Sequence, residues 1–251
     1  MEAIKVEFPS RQGQLLAGIL DLPDEPRAFA IYAHCFTCGK DIPVAYRIAK
    51  YLAQHGIAVL RFDFSGIGDS EGEFSDTNFT TNIEDVLSSA EFLSDQYQAA
   101  RLLVGHSLGG TAAIGAASSL PEVRAVATIA SPNKPSHVME HFEEAKSMLA
   151  EKDEVEIKIM GRPFVIRRAF IEDLESYDCE RLVQNMDKPI LVMHSPNDQV
   201  VTIAEATKIF SAARHPRSFI SLDTIDHLLK SKDDTDYVAA NILSWASRYI
   251  S

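Results

Sequence analysis

Apolar residues in the first 130 positions fall in short runs rather than long stripes. Runs at 4–8 and 15–21 are joined by a polar Ser10-Arg11-Gln12-Gly13-Gln14 turn, which predicts an antiparallel hairpin. Four further runs, at 29–33, 58–62, 101–104 and 125–129, are apolar almost throughout. Helical patterns at 44–54, 78–97 and 108–118 separate them. Strands without alternation, each followed by a helix, predict a parallel sheet covered on both faces, in an α/β chain. From about 132 to 186 the rhythm breaks. A charged helical stretch (137–152) precedes a hairpin, EVEIKIM, then Gly161-Arg162-Pro163, then FVIRR, and another helix. The alternation then resumes with a strand at 189–194, a helix at 203–214, a strand at 218–222 and a helix at 237–250. The expected architecture is a single domain over 1–251, with an eight-stranded, mostly parallel sheet flanked by helices. The insertion at about 132–186 is expected to be a small cap.

Chemistry concentrates at the strand ends. Gly105-His106-Ser107-Leu108-Gly109-Gly110 follows the apolar strand RLLV and opens a helix of small residues, the context in which G-x-S-x-G presents a nucleophile. A serine at such a tight turn sits in strained backbone, and flanking glycines remove the side chains that would clash. The nucleophile needs a base, and the base an orienting carboxylate, in the chain order serine, acid, histidine. Asp198 lies just beyond the strand PILVM and His227 just beyond SFISL, so all three are expected at the carboxyl edge of the sheet. Other histidines fit less well: His194 ends its own strand, His215 begins one, and His137 and His141 fall in the insertion. Asp226 is expected to be a solvated or capping residue. Around Asp63 the run RFDFSGIGDSEG has neither a phosphate-loop lysine nor G-x-G-x-x-G; it reads as a brace beneath the site rather than a nucleotide site.

The remaining features narrow the class. The 251 residues carry 24 basic and 36 acidic side chains, a formal charge of −12, which disfavours nucleic acid and anionic membrane as partners. The opening MEAIKVEF lacks the order of a signal peptide, and no apolar run is long enough to span a bilayer. Three cysteines are too few for a disulfide framework, so a reducing cytoplasm is expected. Cys35 and Cys38 form C-x-x-C, but without a second pair the zinc reading is weak; they are read as small buried loop cysteines.

Together AHCFTCGKD, VLRFDFSGIGDSEGEF, GHSLGG, VATIASP, GRPF, MHSPND and SLDTIDHLL resemble the α/β-hydrolase superfamily. More narrowly they resemble the hydrolase part of bacterial fusions with a domain of the osmotically inducible protein C type, a domain not expected here, so no peroxidase activity is carried over. The His-x-Phe-Thr turn is also similar to that of cinnamoyl and feruloyl esterases. The resemblance implies Ser107 as nucleophile, Asp198 as acid, His227 as base, and the Phe36 and Leu108 amides as oxyanion donors. Cys35 stands where many relatives have glycine. The expected activity is hydrolysis of small carboxylic esters with short to medium acyl groups, by a monomer or homodimer, with no metal or organic cofactor. Thioester or peptide hydrolysis on the same triad, or ligand binding without turnover, are the alternatives. Cys35, His106, Phe142 and Phe164 are the candidate substrate-pocket residues, with Ile166 beside them.

Overall fold

The computed structural model describes residues 1–159 and 161–250, apart from the side chains of Glu140, His141 and Glu143. Met160, read above as the end of a hairpin strand, lies outside the described residues, as do the side chains of Glu140 and Glu143 that made the 137–152 stretch look so charged. The opening hairpin is β1 (Glu2–Pro9) and β2 (Leu15–Leu22), and β3 (Ala28–Ala33) follows. Next come α1 (Pro43–Gln54), β4 (Ile57–Phe62), α2 (Phe79–Gln96), β5 (Leu102–His106), α3 (Leu108–Ala117) and β6 (Ala125–Ile129). The eight-stranded sheet has the order β1-β2-β4-β3-β5-β6-β9-β10, where β9 is Ile190–His194 and β10 is Arg217–Ser221. Among the described residues of this sheet, the β1–β2 and β2–β4 pairings are antiparallel and the others parallel.

Each central strand is apolar on both sides because each side meets helices. In β3, Phe29, Ile31 and Ala33 pack among residues of α2 and α3, while Ala28, Ala30 and Tyr32 pack among residues of α1 and α8 (Lys232–Ala246). In α1 the buried positions Val44, Ala45, Ile48, Ala49, Leu52 and Ala53 recur at helical spacing, and Pro43 opens the helix. Helix α3 is buried on nearly every side, which explains its run of glycine and alanine. The helix α8 begins at Lys232, five residues before the sequence reading. Ser231 caps it, its Oγ accepting the Asp234 N–H at 3.0 Å, with Asp233 and Asp234 in the first turn. That polar start hid the turn from a search for apolar periodicity.

Between β6 and β9 lie a 3₁₀ segment (Pro135–His141), α4 (Glu143–Leu149), the hairpin β7 (Glu154–Ile159) and β8 (Arg162–Arg167), α5 (Arg168–Ser176) and α6 (Cys179–Asn185). The single helix expected over 137–152 is therefore two pieces. Phe142, at φ −135 and ψ 43, breaks it. Aromatic edges dock this insertion: Phe164 on Phe74 at 4.9 Å, Phe170 on Phe36 at 5.8 Å and Tyr177 on Phe79 at 4.7 Å between ring centres. Asp173 adds two bonds, accepting the Thr80 N–H at 2.9 Å and its hydroxyl at 2.6 Å. Among the described residues no helix is long and apolar enough to cross a membrane. After α6 and β9 the chain runs through α7 (Ile203–Ala212) to β10.

Sheet register sets where the loops emerge. His106 pairs with Ile129, Ile129 with Met193, and His194 with Ser221, so β5, β6, β9 and β10 end in one row. The turns beyond that row carry Ser107, Asp198 and His227.

Candidate functional site

Ser107 stands between β5 and α3 at φ 54 and ψ −128, a conformation that non-glycine residues rarely adopt. Three glycines make the turn possible. A Cβ on Gly105 would come within 2.3 Å of the Gly110 Cα, one on Gly109 within 2.2 Å of the His34 oxygen, and one on Gly110 within 1.9 Å of the Ser131 Oγ. The Ser107 N–H is donated to the Ile129 oxygen at 2.8 Å, tying the turn to the neighbouring strand.

The structure brings Ser107, His227 and Asp198 together. The His227 Nε2 lies 3.2 Å from the Ser107 Oγ, and its Nδ1 lies 2.8 Å from the Asp198 Oδ2. The other carboxylate oxygen, Oδ1, accepts the N–H groups of Val200 at 2.8 Å and Val201 at 2.9 Å. Burial pushes the Asp198 pKa up, but the His227 bond and the two amides outweigh it and hold the carboxyl below its usual range. An ionised carboxylate on Nδ1 leaves Nε2 free of its proton and facing a hydroxyl, the geometry for general-base activation of that hydroxyl. Asp226 turns away and pairs with Lys230 at 3.0 Å.

Three other histidines, each at a strand end, surround the group, and each bonds a loop of the site. The His34 Nδ1 lies 2.8 Å from the Cys35 oxygen, the His106 Nε2 2.7 Å from the His227 oxygen, and the His194 Nε2 2.8 Å from the Val201 oxygen. Burial lowers the pKa of all three, that of His106 to about 3, so they stand as neutral donors to carbonyls.

The loop after β3 forms the facing wall. Phe36, in this loop, and Leu108, the first residue of α3, line one cavity with Ser107. The N–H of Leu108, at the first position of its helix, has no partner within that helix. Cys35 and Cys38 are joined in a disulfide, with Cα atoms 5.3 Å apart. This corrects the reading of both as small buried loop cysteines outside any disulfide: a three-residue separation suffices because the chain turns sharply between them, with Thr37 at φ 56. Cys179 is free and buried, and burial pushes its thiol up to about 12. Asp63 braces the far end of the loop, accepting the Lys40 N–H at 2.6 Å, the Lys40 Nζ at 2.8 Å and the Asp69 N–H at 3.0 Å. Gly68, at φ +60, is needed because a Cβ there would fall 2.2 Å from the Asp63 Oδ2.

The cavity holds about 260 Å³, and most of its walls are apolar, with Pro132, Val138, Phe142, Val200, Val201 and Leu228 among them. Of the four candidate pocket residues, Cys35 and Phe142 line it. His106 and Phe164 do not. His106 is fully buried beneath His227, and Phe164 faces the body of the protein against Phe74. Ile166 is likewise core. Ile159, the last residue of β7 and paired with Arg162 beside the hairpin tip, lines the cavity in their place. His137, set aside as an insertion residue, lines the cavity, and its Nε2 lies 3.0 Å from the Val200 oxygen. Only knowledge of how the insertion folds back could have revealed it. A second, more open cavity of about 690 Å³ shares Cys38, Ile159 and Leu228 with the first and carries Lys40, Asp69 and Arg162. Among the described residues no three His, Cys, Asp or Glu side chains gather as metal ligands.

Comparison with known proteins agrees with this architecture. The family model described as serine aminopeptidase, S33, a hydrolase family, matches residues 26–163, more than half of the chain, which includes Ser107 but stops before Asp198 and His227. The esterase domain of a Rhodothermus marinus protein is 42% identical, with 100% of both chains covered and a TM-score of 0.81. Palmitoyl-protein thioesterase ABHD10, mitochondrial, of Pongo abelii is 27% identical over 79% of this chain and 66% of that protein. The human ABHD10 is matched over 52% of its length, so the chain spans about half to two thirds of these curated relatives. Est1E of Butyrivibrio proteoclasticus, solved with ferulic acid, shares the fold at a TM-score of 0.80 and 17% identity, with 98% of this chain and 99% of that one covered. With its mostly parallel eight-stranded sheet and the matched span from β3 to the inserted hairpin, the chain belongs to the serine aminopeptidase S33 family of α/β-hydrolases.

Proposed function

We propose that the protein is a serine carboxylester hydrolase for small esters with short to medium acyl groups. The observation that carries this reading is the unbroken hydrogen-bonded path from Ser107 through His227 to Asp198 at the wall of an apolar cavity. In the proposed reaction His227 accepts the Ser107 proton as Oγ attacks the ester carbonyl. The Phe36 and Leu108 amides stabilise the tetrahedral oxyanion, and His227 then protonates the leaving alcohol. Water repeats the sequence on the acyl-enzyme. Thioester hydrolysis by the same steps is the second reading, favoured by the similarity to ABHD10, named a palmitoyl-protein thioesterase. Removal of amino-terminal residues from peptides is disfavoured, because no described residue lining the inner cavity is an acid that would pair with a free amino terminus. Rapid labelling of Ser107 by a fluorophosphonate, and hydrolysis of nitrophenyl esters, test the reading against ligand binding without turnover. A cytoplasmic location belongs to the same proposal, with the Cys35–Cys38 disulfide as the observation weighing against it.

The cavity sets the acyl preference. An engineered cavity of about 150 Å³ takes up benzene, so 260 Å³ suits an aromatic or a short to medium acyl group. Each methylene that reaches the wall contributes about 0.8 kcal/mol, or roughly a fourfold rise in kcat/KM, until the space is filled. A series of nitrophenyl esters should therefore peak at short to medium length. Phe142→Ala should move the peak to longer chains, whereas Phe164→Ala, away from the cavity, should leave it in place. A peak at long chains in the parent protein, or one that ignores Phe142→Ala, would count against this account.

Opening the disulfide should slow turnover. It holds Cys35 and Cys38 on either side of Phe36, whose amide is the proposed donor, and losing an oxyanion donor outright costs about 10²- to 10³-fold. Reduction with dithiothreitol loosens that donor without deleting it, so kcat is expected to fall by less than this, with KM little changed and activity restored on reoxidation. Equal kcat for the oxidised and reduced forms, with thiol content verified by mass, would refute it.

A further inference from the structure

We propose that His106 is a positioning residue for the base, its Nε2–H fixing the His227 main chain so that the imidazole stands between Ser107 and Asp198. The proposal rests on the reading of His227 as the base. His106 is the last residue of β5, and Leu102 and Val104, which point to the same side, belong to the α1 and α8 layer. Its ring therefore emerges on the face where the loop from β10 to α8 passes, 5.3 Å from the His227 ring between centres. The bond to the His227 oxygen is 2.7 Å long and links residues 121 positions apart. Within the loop the bonds are local turns, Ile225 N–H to the Leu222 oxygen at 3.0 Å and Leu229 N–H to the Asp226 oxygen at 3.1 Å, while Asn197 Nδ2 and Arg47 Nη1 hold its two ends at the Asp223 oxygen (2.5 Å) and the Lys230 oxygen (3.0 Å). His106 thus ties the base to the strand that carries the nucleophile.

The chemistry of the ring suits this task. A carbonyl only accepts, so Nε2 carries the proton, and Nδ1 is buried with no hydrogen-bond partner among the described residues. Burial, and then the nearby His227, lower the His106 pKa to about 3. The ring stays neutral when His227 takes a proton beside it and cannot compete for that proton. A lysine or arginine here would bring a charge against the imidazolium, and an apolar residue would leave a buried carbonyl without a donor.

The test compares His106→Phe, which fills the space without a donor, with His106→Gln, which returns an N–H near the Nε2 position. Misplacement of a reacting group by about 1 Å costs about 100-fold, so His106→Phe should lower kcat by about ten- to hundredfold with KM within about twofold. Fluorophosphonate labelling should slow in parallel, while His106→Gln recovers most of both. Circular dichroism and Tm verify folding. If His106→Phe does not fold, His106→Leu and His106→Asn replace it, since neither presents a donor at the Nε2 position. Unchanged kcat and labelling in the donor-free variants overturn the proposal. Equal impairment by glutamine also overturns it, by showing that packing alone matters. A wild-type protein that takes up no probe sinks the esterase reading and this inference with it. A labelled wild type matched by an equally fast His106→Phe sinks the inference alone.

Discussion

Ser107→Ala is expected to lower ester turnover by about 10⁴- to 10⁶-fold while the protein stays folded. The large effect follows from what is removed. Oγ is the only atom lost, and it is the one that His227 faces at 3.2 Å. The small effect on folding follows from what remains. Alanine keeps the Cβ, the N–H bond to the Ile129 oxygen and the unusual φ of the turn. Nitrophenyl ester turnover, measured beside a circular-dichroism spectrum and a fluorophosphonate label, checks both halves. A folded alanine variant that still hydrolyses esters at near wild-type rate would remove Ser107 from the mechanism.

The second large effect is expected at Asp198. Asp198→Asn should cost about 10⁴-fold in kcat, since an amide presents Nδ1 with the wrong partner and favours the wrong tautomer of the imidazole. Asparagine is the cleaner probe. Its carbonyl can still accept the Val200 and Val201 N–H groups, two hydrogen bonds that alanine would remove. The pH dependence carries a further mark. Because its hydrogen bonds keep the Asp198 carboxyl ionised below the usual range, the loss of kcat on mild acidification should come from a group other than Asp198. The same bonds add stability that is present above the unfolded carboxylate pKa and lost as pH falls through the lower folded value; Asp198→Asn should flatten that part of the Tm profile. An Asp198→Asn enzyme within tenfold of wild type would mean that another group orients His227.

The sheet was legible because its strands obey a strict rule. Residues such as Ile31 and Tyr32 are both apolar, since each side of β3 meets a helical layer, and that doubling shows in the sequence as an uninterrupted run. Ser107, Asp198 and His227 were legible as a set because strand ends in one row bring distant positions together, and the structure does bring these three together. The insertion was not legible in the same way. Whether Phe142 or Phe164 reaches the cavity depends on how the insertion folds back, with the β7–β8 hairpin leaning on Phe74 and α5 on Phe36, and no local periodicity encodes a docking angle. The disulfide was missed for a different reason. Cys35 and Cys38 were weighed by their number in the chain, whereas their pairing depends on a tight turn at Thr37 that the residue types do not announce.

The conformation of Ser107 has a consequence for how such a protein changes under selection. Backbone held in this region by a residue with a side chain costs on the order of 1–3 kcal/mol. Glycine would shed most of that cost, so the proposed nucleophile is a position where robustness and turnover pull in opposite directions. Random variants screened for heat resistance alone should accumulate glycine at 107 and become inactive. A screen that demands ester turnover at the same time would hold the serine and find its gains elsewhere, away from the turn that Gly105, Gly109 and Gly110 make possible.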